Sequence, residues 1–359
     1  MARRDIERFL GISWYDGLLV NELHLSHSDQ RALSVAADIS RLSMDQPGII
    51  EIDTSSSAGV AALTIAETNH AEGSVEITFN VPRTLRALAP SGKVVIVVEN
   101  NQRHLGWPEA SVKVVKDKGN FTAGEYVVAA RQQLRPDLKV DYEVGRVLEQ
   151  QGIKAGDGSI ELSYPGVAVD LVDIDGYKND IRNLYADSVV IGLLKYDGND
   201  ATLVDGHMPP VARLELVQAF AGGALADLTS LFDDMLAEVS KKQTEQNRIL
   251  RENLSSDLLL KALGILTLQS FLLSKLGIIR NLGRVSPSTL FFEVVYPLSV
   301  WHEDYYRRQY GEGDVLSKFY ARRPDIKGLA WEDFCVDIGP LMARGKEQIK
   351  QIIEDLQII

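Results

Sequence analysis

Cysteine is nearly absent from this chain: Cys335 is the only one in 359 residues. A single thiol excludes an internal disulfide framework and any zinc site built from several thiolates, and it suits a reducing cytoplasm. Long hydrophobic runs are missing as well. The most apolar region, Leu258 to Leu282, is interrupted by Lys261, Gln269, Ser270, Ser274 and Lys275. No stretch of about 18 uncharged apolar residues remains, so a buried helix pair is expected there and not a membrane span. Excess positive charge is lacking too. The net charge of −12 disfavours general attraction to nucleic acid or anionic lipid, both of which are polyanions. Charge recurs in the opening residues Met1-Ala2-Arg3-Arg4-Asp5, which leaves no apolar core for a signal peptide. A cytoplasmic protein is expected.

Motifs that carry chemistry are also wanting. There is no Gly-x-x-x-x-Gly-Lys-Ser/Thr loop, and Gly156-Asp157-Gly158 lacks the third glycine of a dinucleotide fingerprint, so it reads as a turn. His302-Glu303-Asp304-Tyr305-Tyr306 begins like a zinc-protease helix but has tyrosine where the second imidazole belongs. His24 and His27, three residues apart, are a weak two-ligand pattern. In Asp173-Ile174-Asp175-Gly176 the start of a calcium loop is followed by Tyr177 and Lys178 at the next ligand and glycine positions, so a turn after a strand is expected. No serine lies in Gly-x-Ser-x-Gly, and Cys335 between Phe334 and Val336 reads as a buried thiol. Acid pairs such as Asp233-Asp234 are expected by chance among 50 acidic residues. No catalytic residue, metal site or cofactor is assigned.

What is present is a change of period. From about Gly48 to Val204, short alternating apolar runs are separated by turn residues: Ile49 to Ile52, Ala61 to Ile65, Val75 to Phe79, Val94 to Val98, Val112 to Val115, Ile160 to Tyr164, Val167 to Leu171 and Val189 to Leu194. Period-two alternation predicts antiparallel strands with one buried face, arranged as a sandwich or barrel. Helical interruptions are predicted at Ser28 to Arg41, Tyr126 to Gln133 and Val144 to Gln151. After Pro210, Leu214, Val217, Ala221, Ala224, Leu228, Leu231 and Met235 recur at steps of three and four. That spacing predicts a long helix with an apolar seam, on the order of 60 Å if it runs to about Glu252, weakened at Gly222-Gly223. Further helices are predicted at Ser256 to Lys275, Ser286 to Tyr310 with a break at Pro297, and Gly345 to Leu356. The fold class is therefore α+β, a β-rich sandwich- or barrel-like domain followed by an α-helical bundle. The seam Leu214, Val217, Leu228, Leu231 and Met235 fits either an intersubunit contact or an intramolecular bundle. Tyr305, Tyr306, Arg307, Arg308 and Tyr310, with Lys318, Tyr320, Arg322 and Arg323 beyond them, form a candidate patch. It suits a protein interface or solvated surface better than nucleic acid.

Two short motifs carry a resemblance. Trp14, Gly17, Leu18, Leu19 and His24 stand in a Trp-x-x-Gly segment whose histidine falls ten positions after the tryptophan, and Pro209-Pro210 heads the helical region. This resembles the TssK family of type VI secretion baseplate components, whose chains open with Trp-x-x-Gly and Pro-Gln-His-Phe. Glu22, Leu23 and Leu25 depart from that pattern, as does Met208, where the family commonly has an aromatic. The resemblance implies a shell domain at 1–208, a helical neck at 209–310 and a short C-terminal region at 311–359, with the family's head reduced or replaced. It implies a non-enzymatic homotrimer that binds TssF-like and TssG-like subunits and joins the contractile tail to the envelope. A membrane-complex protein is a further implied partner, at the inner face of the inner membrane. Trp14, Gly17, Leu18, Leu19, His24, Pro209 and Pro210 would be structural or docking residues. Two alternatives stay open: a phage-type baseplate or receptor-binding protein, and an enzyme with a pocket between the β-rich and helical regions.

Overall fold

A computed structural model describes residues 46–52, 63–80, 84–97, 111–135, 164–252, 256–310, 313–326 and 328–358. The opening motif from Trp14 to His24, His27, the helices predicted at 28–41 and 144–151, and Gly156 to Gly158 lie outside these residues. The chain divides into two compact units, with the boundary between Asp205 and Gly206. The stretch 311–359, expected as a region of its own, folds within the second unit.

The first unit is β-rich. Its strands are β1 (Gly48–Ile52), β2 (Thr64–Ala71), β3 (Ser74–Asn80), β4 (Leu85–Leu88), β5 (Val94–Val97), β6 (Ser111–Asp117), β7 (Gly124–Arg135), β8 (Tyr164–Asp173), β9 (Ser188–Tyr196) and β10 (Ala201–Leu203). They form three antiparallel sheets, ordered β1-β4-β5, β2-β3-β6 and β10-β9-β7-β8. β3 shows why the pattern was readable: Val75, Ile77 and Phe79 alternate inward with at most 1% exposure. β7 corrects the helix predicted at Tyr126 to Gln133. It lies between β8 and β9, and Val127, Val128, Ala129 and Ala130 are all buried. A central strand covered on both faces reads as a continuous apolar run without alternation, and its ladders override the helix preference of alanine.

The second unit is helical. After α1 (Ile174–Asp180), which belongs to the first unit, come α2 (Ala224–Glu252), α3 (Ser256–Ser274), α4 (Leu276–Ile279), α5 (Pro287–Leu290), α6 (Tyr296–Tyr310), α7 (Asp314–Arg322) and α8 (Gly339–Ile358). The helix predicted from Leu214 onward is interrupted. Leu214–Ala219 is a separate 3-10 turn, and α2 starts only after Gly223, whose φ of +79° is left-handed. A π-helical turn, Phe291–Val295, joins α5 to α6, and the Tyr296 N–H donates to the Phe291 carbonyl five residues back. This widened turn precedes Pro297, which has no N–H to give to the helix.

α2 is the spine of the unit and packs on α3 and α8. Its inward seam is Leu228, Phe232, Met235, Val239, Lys242 and Gln246, spaced four and three alternately and at most 7% exposed. The predicted seam follows it at Leu228 and Met235 but departs at Leu231, which is half-buried where Phe232 is fully buried. Leu214 and Val217 are 1% exposed in their own turn. Leu214, Val217, Leu228 and Met235 are thus covered by the chain's own packing. They have no area left for an intersubunit contact, which is the intramolecular alternative.

Candidate functional site

Pro209 and Pro210 lie in a buried segment without regular secondary structure at the head of the helical unit. Prolines cannot donate to a ladder, so neighbouring groups hold the segment in place. The Met208 N–H donates to Asp337 Oδ1 at 3.1 Å, and the Ile338 N–H donates to the Met208 carbonyl at 3.1 Å. His207 Nε2 meets the Val336 carbonyl at 3.0 Å, and the Leu214 N–H donates to the Val285 carbonyl at 2.9 Å. Burial lowers the His207 pKa, with Asp337 pulling the other way, so His207 is neutral near pH 7 and donates to that carbonyl. The Pro-Pro segment is therefore clamped by the turn that opens α8.

The second cluster gathers α6, α7 and α8. His302 and Asp355, each with a side chain 1% exposed, meet at 2.8 Å through Nε2 and Oδ2. Gln348 Nε2 lies 3.0 Å from His302 Nδ1. An amide N–H can only donate, so Nδ1 accepts and the ring proton sits on Nε2, facing the carboxylate. Burial pulls His302 below the ordinary histidine value and outweighs Asp355, while Arg323 and Arg322 add to the lowering. Asp355 is pushed up by burial, but hydrogen bonds from His302, Tyr306 and Arg322 outweigh that and hold it below the usual carboxylate range. Arg322 also donates to Tyr306 Oη at 3.1 Å.

Beside it, Arg323 and Glu303 form a second buried pair, with side chains 7% and 10% exposed. Arg323 donates to the Ser299 carbonyl at 2.8 Å, and Glu303 accepts from Arg307 and Tyr320, each at 2.9 Å. Aromatic rings wall the charges in. Phe319 stacks on Tyr306 at 4.3 Å, His302 meets the Phe319 ring edge-on at 4.9 Å, and Arg323 lies over the same ring.

This cluster corrects the surface patch expected at Tyr305 to Tyr310. Tyr305 and Tyr306 are only 3% and 7% exposed and belong to the core, whereas Arg307, Arg308 and Tyr310 remain exposed. The guanidinium groups of Arg322 and Arg323 face Asp355 and Glu303, so their charge is matched inside the protein. His302-Asp355 has the look of a base and its orienting acid, but both ring nitrogens are occupied, one by the carboxylate and one by Gln348. No nitrogen is left to take a proton from a substrate. The pair fixes α8 onto α6.

Other candidates fall into place in the same way. Asp173 caps α1 by accepting from the Gly176 N–H at 2.7 Å, so the calcium-like sequence is a helix cap. Cys335 is buried, with Sγ 3.5 Å from the Trp331 carbonyl. Among the described residues no group of three or more His, Cys, Asp or Glu could hold a metal ion, and no helix is long and apolar enough to cross a membrane. A groove of about 560 Å³ within the helical unit is lined by Leu225, Leu236, Glu215, Asp233, Arg280 and Arg284. Its four charged residues are all exposed, unlike the buried, convergent groups of a catalytic pocket.

No family model and no curated protein matches the chain. Among solved structures the result is different. The chain is similar to TssK. A crystal structure of TssK shares 11% identity over 96% of this chain and 69% of its own length, with a TM-score of 0.46. In a TssK-TssF-TssG baseplate subcomplex of the type VI secretion system, the matching chain shares 12% identity over 96% of this chain and 99% of its own, with a TM-score of 0.43. In a second baseplate complex from that system the figures are 13%, 95%, 99% and 0.42.

Proposed function

We propose that this chain is a structural subunit of a type VI secretion baseplate, a connector that binds TssF-like and TssG-like subunits and links the contractile tail to the envelope complex. The observation that carries the reading is the placement of Pro209 and Pro210. They are buried in a non-helical segment that leads from the last strand to the first turn of the helical unit, clamped through Met208 to the turn before α8. A Pro-Pro hand-over from β-rich to helical structure is what the resemblance requires, and the same chain carries Trp14, Gly17, Leu18, Leu19 and His24 at the family's spacing.

The buried network supports a structural role. Its charges are paired with one another and hold three helices in register, which gives a rigid body suited to carrying load. In this reading the protein works in the cytoplasm as a homotrimer, reaching the inner membrane through a partner protein, and Trp14 and Leu18 anchor the opening motif in apolar pockets. The test is genetic. Deleting the gene in its own bacterium should abolish sheath assembly, followed by a fluorescent sheath subunit, and should stop effector release. Restoring the intact chain should recover both, and a Trp14→Ala chain should recover neither. Normal sheath assembly in the deletion strain would overturn the reading.

A further inference from the structure

α7 is held to the bundle mainly by charge. Of its nine residues only Phe319 is buried, at 1% exposure, and seven are exposed. Leu316 adds a half-buried contact to the cluster of Phe319, Tyr305 and Tyr306. The remaining fastenings are polar. Arg322 donates to Asp355 and Tyr306, and the next residue, Arg323, donates to Glu303 and the Ser299 carbonyl. Tyr320 donates to Glu303 Oε1 at 2.9 Å, and the Gln351 amide donates to the Arg322 carbonyl. Buried ion pairs recover little more than their own desolvation, so apolar burial has to supply most of the holding free energy. A helix with one buried apolar side chain therefore belongs to the low-stability end of the structure.

The bundle does not depend on α7 to stay closed. His302 joins α6 to α8 through Asp355 Oδ2 and Gln348 Nε2, and neither contact passes through α7. What α7 covers is a seat between those two helices, with an aromatic wall of Tyr306 and His302 and two buried carboxylates, Glu303 and Asp355. Phe319 stacks on the wall, and the arginines three and four positions later divide between the carboxylates. Arg323 spreads its fork over Glu303 and the Ser299 carbonyl, a geometry that lysine does not reproduce. The seat is also incompletely matched. Gln351 and Gln348 each use their amide N–H, but both Oε1 atoms are buried acceptors with no donor among the described residues. Buried acceptors normally find a donor, and α7 leaves these two unmet.

We propose that α7 is a built-in cover over a docking seat for a partner protein. It yields to a partner helix of its own chemistry, an aromatic side chain followed three and four residues later by arginine. The occupant seen here supplies that description, because Phe319, Arg322 and Arg323 are what the seat selects. Aromatic and arginine anchors on one helix face are what dominate helix-in-groove binding. A partner that also donates to Gln348 and Gln351 meets what α7 leaves unmet, and so displaces it. The inference rests on how α7 is held and does not depend on the baseplate reading.

Two measurements on the full chain test it. In hydrogen exchange read by mass spectrometry, α7 amides should exchange about 100-fold or more faster than those of α8, with little dependence on low urea. The α8 amides should speed up steeply with urea, because they open only when much surface is exposed. The second measurement is fluorescence anisotropy with a labelled peptide of the sequence from Asp314 to Arg323. It should bind the Phe319→Ala chain, whose own α7 has lost its anchor, roughly tenfold or more tightly than the unaltered chain. A peptide with Arg322→Ala and Arg323→Ala should bind that variant about tenfold more weakly. Should Phe319→Ala fail to fold, Phe319→Leu takes its place. Exchange of α7 at the rate and urea slope of α8 would overturn the proposal, since the helix would then open only with the whole unit. So would an intact peptide that binds the variant no better than its arginine-free form.

Discussion

Replacing Asp355 by alanine tests whether the buried network holds the helical unit together. The carboxylate is 1% exposed and receives hydrogen bonds from His302, Tyr306 and Arg322. Removing it leaves the His302 Nε2–H and the Tyr306 hydroxyl facing a void and strips Arg322 of its counter-charge. Breaking a buried pair from one side costs about 3–5 kcal/mol, because the remaining partner stays desolvated. For a unit of this size each kcal/mol moves the melting midpoint by about 2–4 °C, so a fall of roughly 6–20 °C is expected in the helical transition. Asp355→Asn keeps the shape and one acceptor but turns an N–H toward groups that already donate. It should cost less, about 1–3 kcal/mol. The assay is thermal and urea unfolding followed by far-ultraviolet circular dichroism on the full chain. A loss below about 1 kcal/mol for the alanine variant would refute the reasoning, since an unpaired buried cluster cannot be that cheap.

Four further outcomes follow from the same geometry. His302 and His207 both have pKa values lowered by burial, so the unfolded chain takes up protons first as pH falls below about 6.5, and stability present above that value is lost on acidification. Urea midpoints measured from about pH 7.5 to 5.5 should decline, each histidine contributing at most about 1.4 kcal/mol per pH unit, and His302→Gln should flatten the decline. Phe232→Ala should cost about 3–5 kcal/mol in urea unfolding, against about 1 kcal/mol or less for Leu231→Ala one residue away. Gly264→Ala should destabilise the unit despite alanine's ~1 kcal/mol advantage in a helix, because a Cβ there would lie 2.5 Å from the Tyr305 ring; a rise in melting temperature would contradict this. Gly223→Ala, at a φ of +79°, should cost about 1–2 kcal/mol even though the space around it is open, as read from the same melting curves.

Much of the fold was legible because burial on one face leaves a period in the sequence. Val75, Ile77 and Phe79 announce β3, and the leucines after Ser256 announce α3. The period fails where burial is two-sided. Val127 to Ala130 carry no alternation in β7, and alanines beside Arg131, Gln132 and Gln133 imitate a helix. The seam of α2 was read one residue out at Leu231 because Leu231 and Phe232 are both apolar and lie three and four residues after Leu228, so a step of either length fits the period, and only packing shows that Phe232 turns inward. Lys242 and Gln246 occupy seam positions, but polar residues there give no hydrophobic signal. The charge network had no local trace at all. His302, Arg322 and Asp355 are 20 and 33 residues apart in turn and meet only because α6, α7 and α8 pack together. The arginines and tyrosines were visible as a composition, and their burial was not. Nor did the sequence separate the two faces of α3, since leucine marks both.

The most direct test of the central claim is assembly with partners in solution. The full chain, purified and mixed with TssF-like and TssG-like proteins from the same organism, is measured by size-exclusion chromatography with light scattering. The account predicts a single species heavier than any component and containing this chain, and it predicts that Trp14→Ala removes the chain from that species. If the chain elutes at its own mass at every concentration while the other two associate without it, the baseplate reading is wrong.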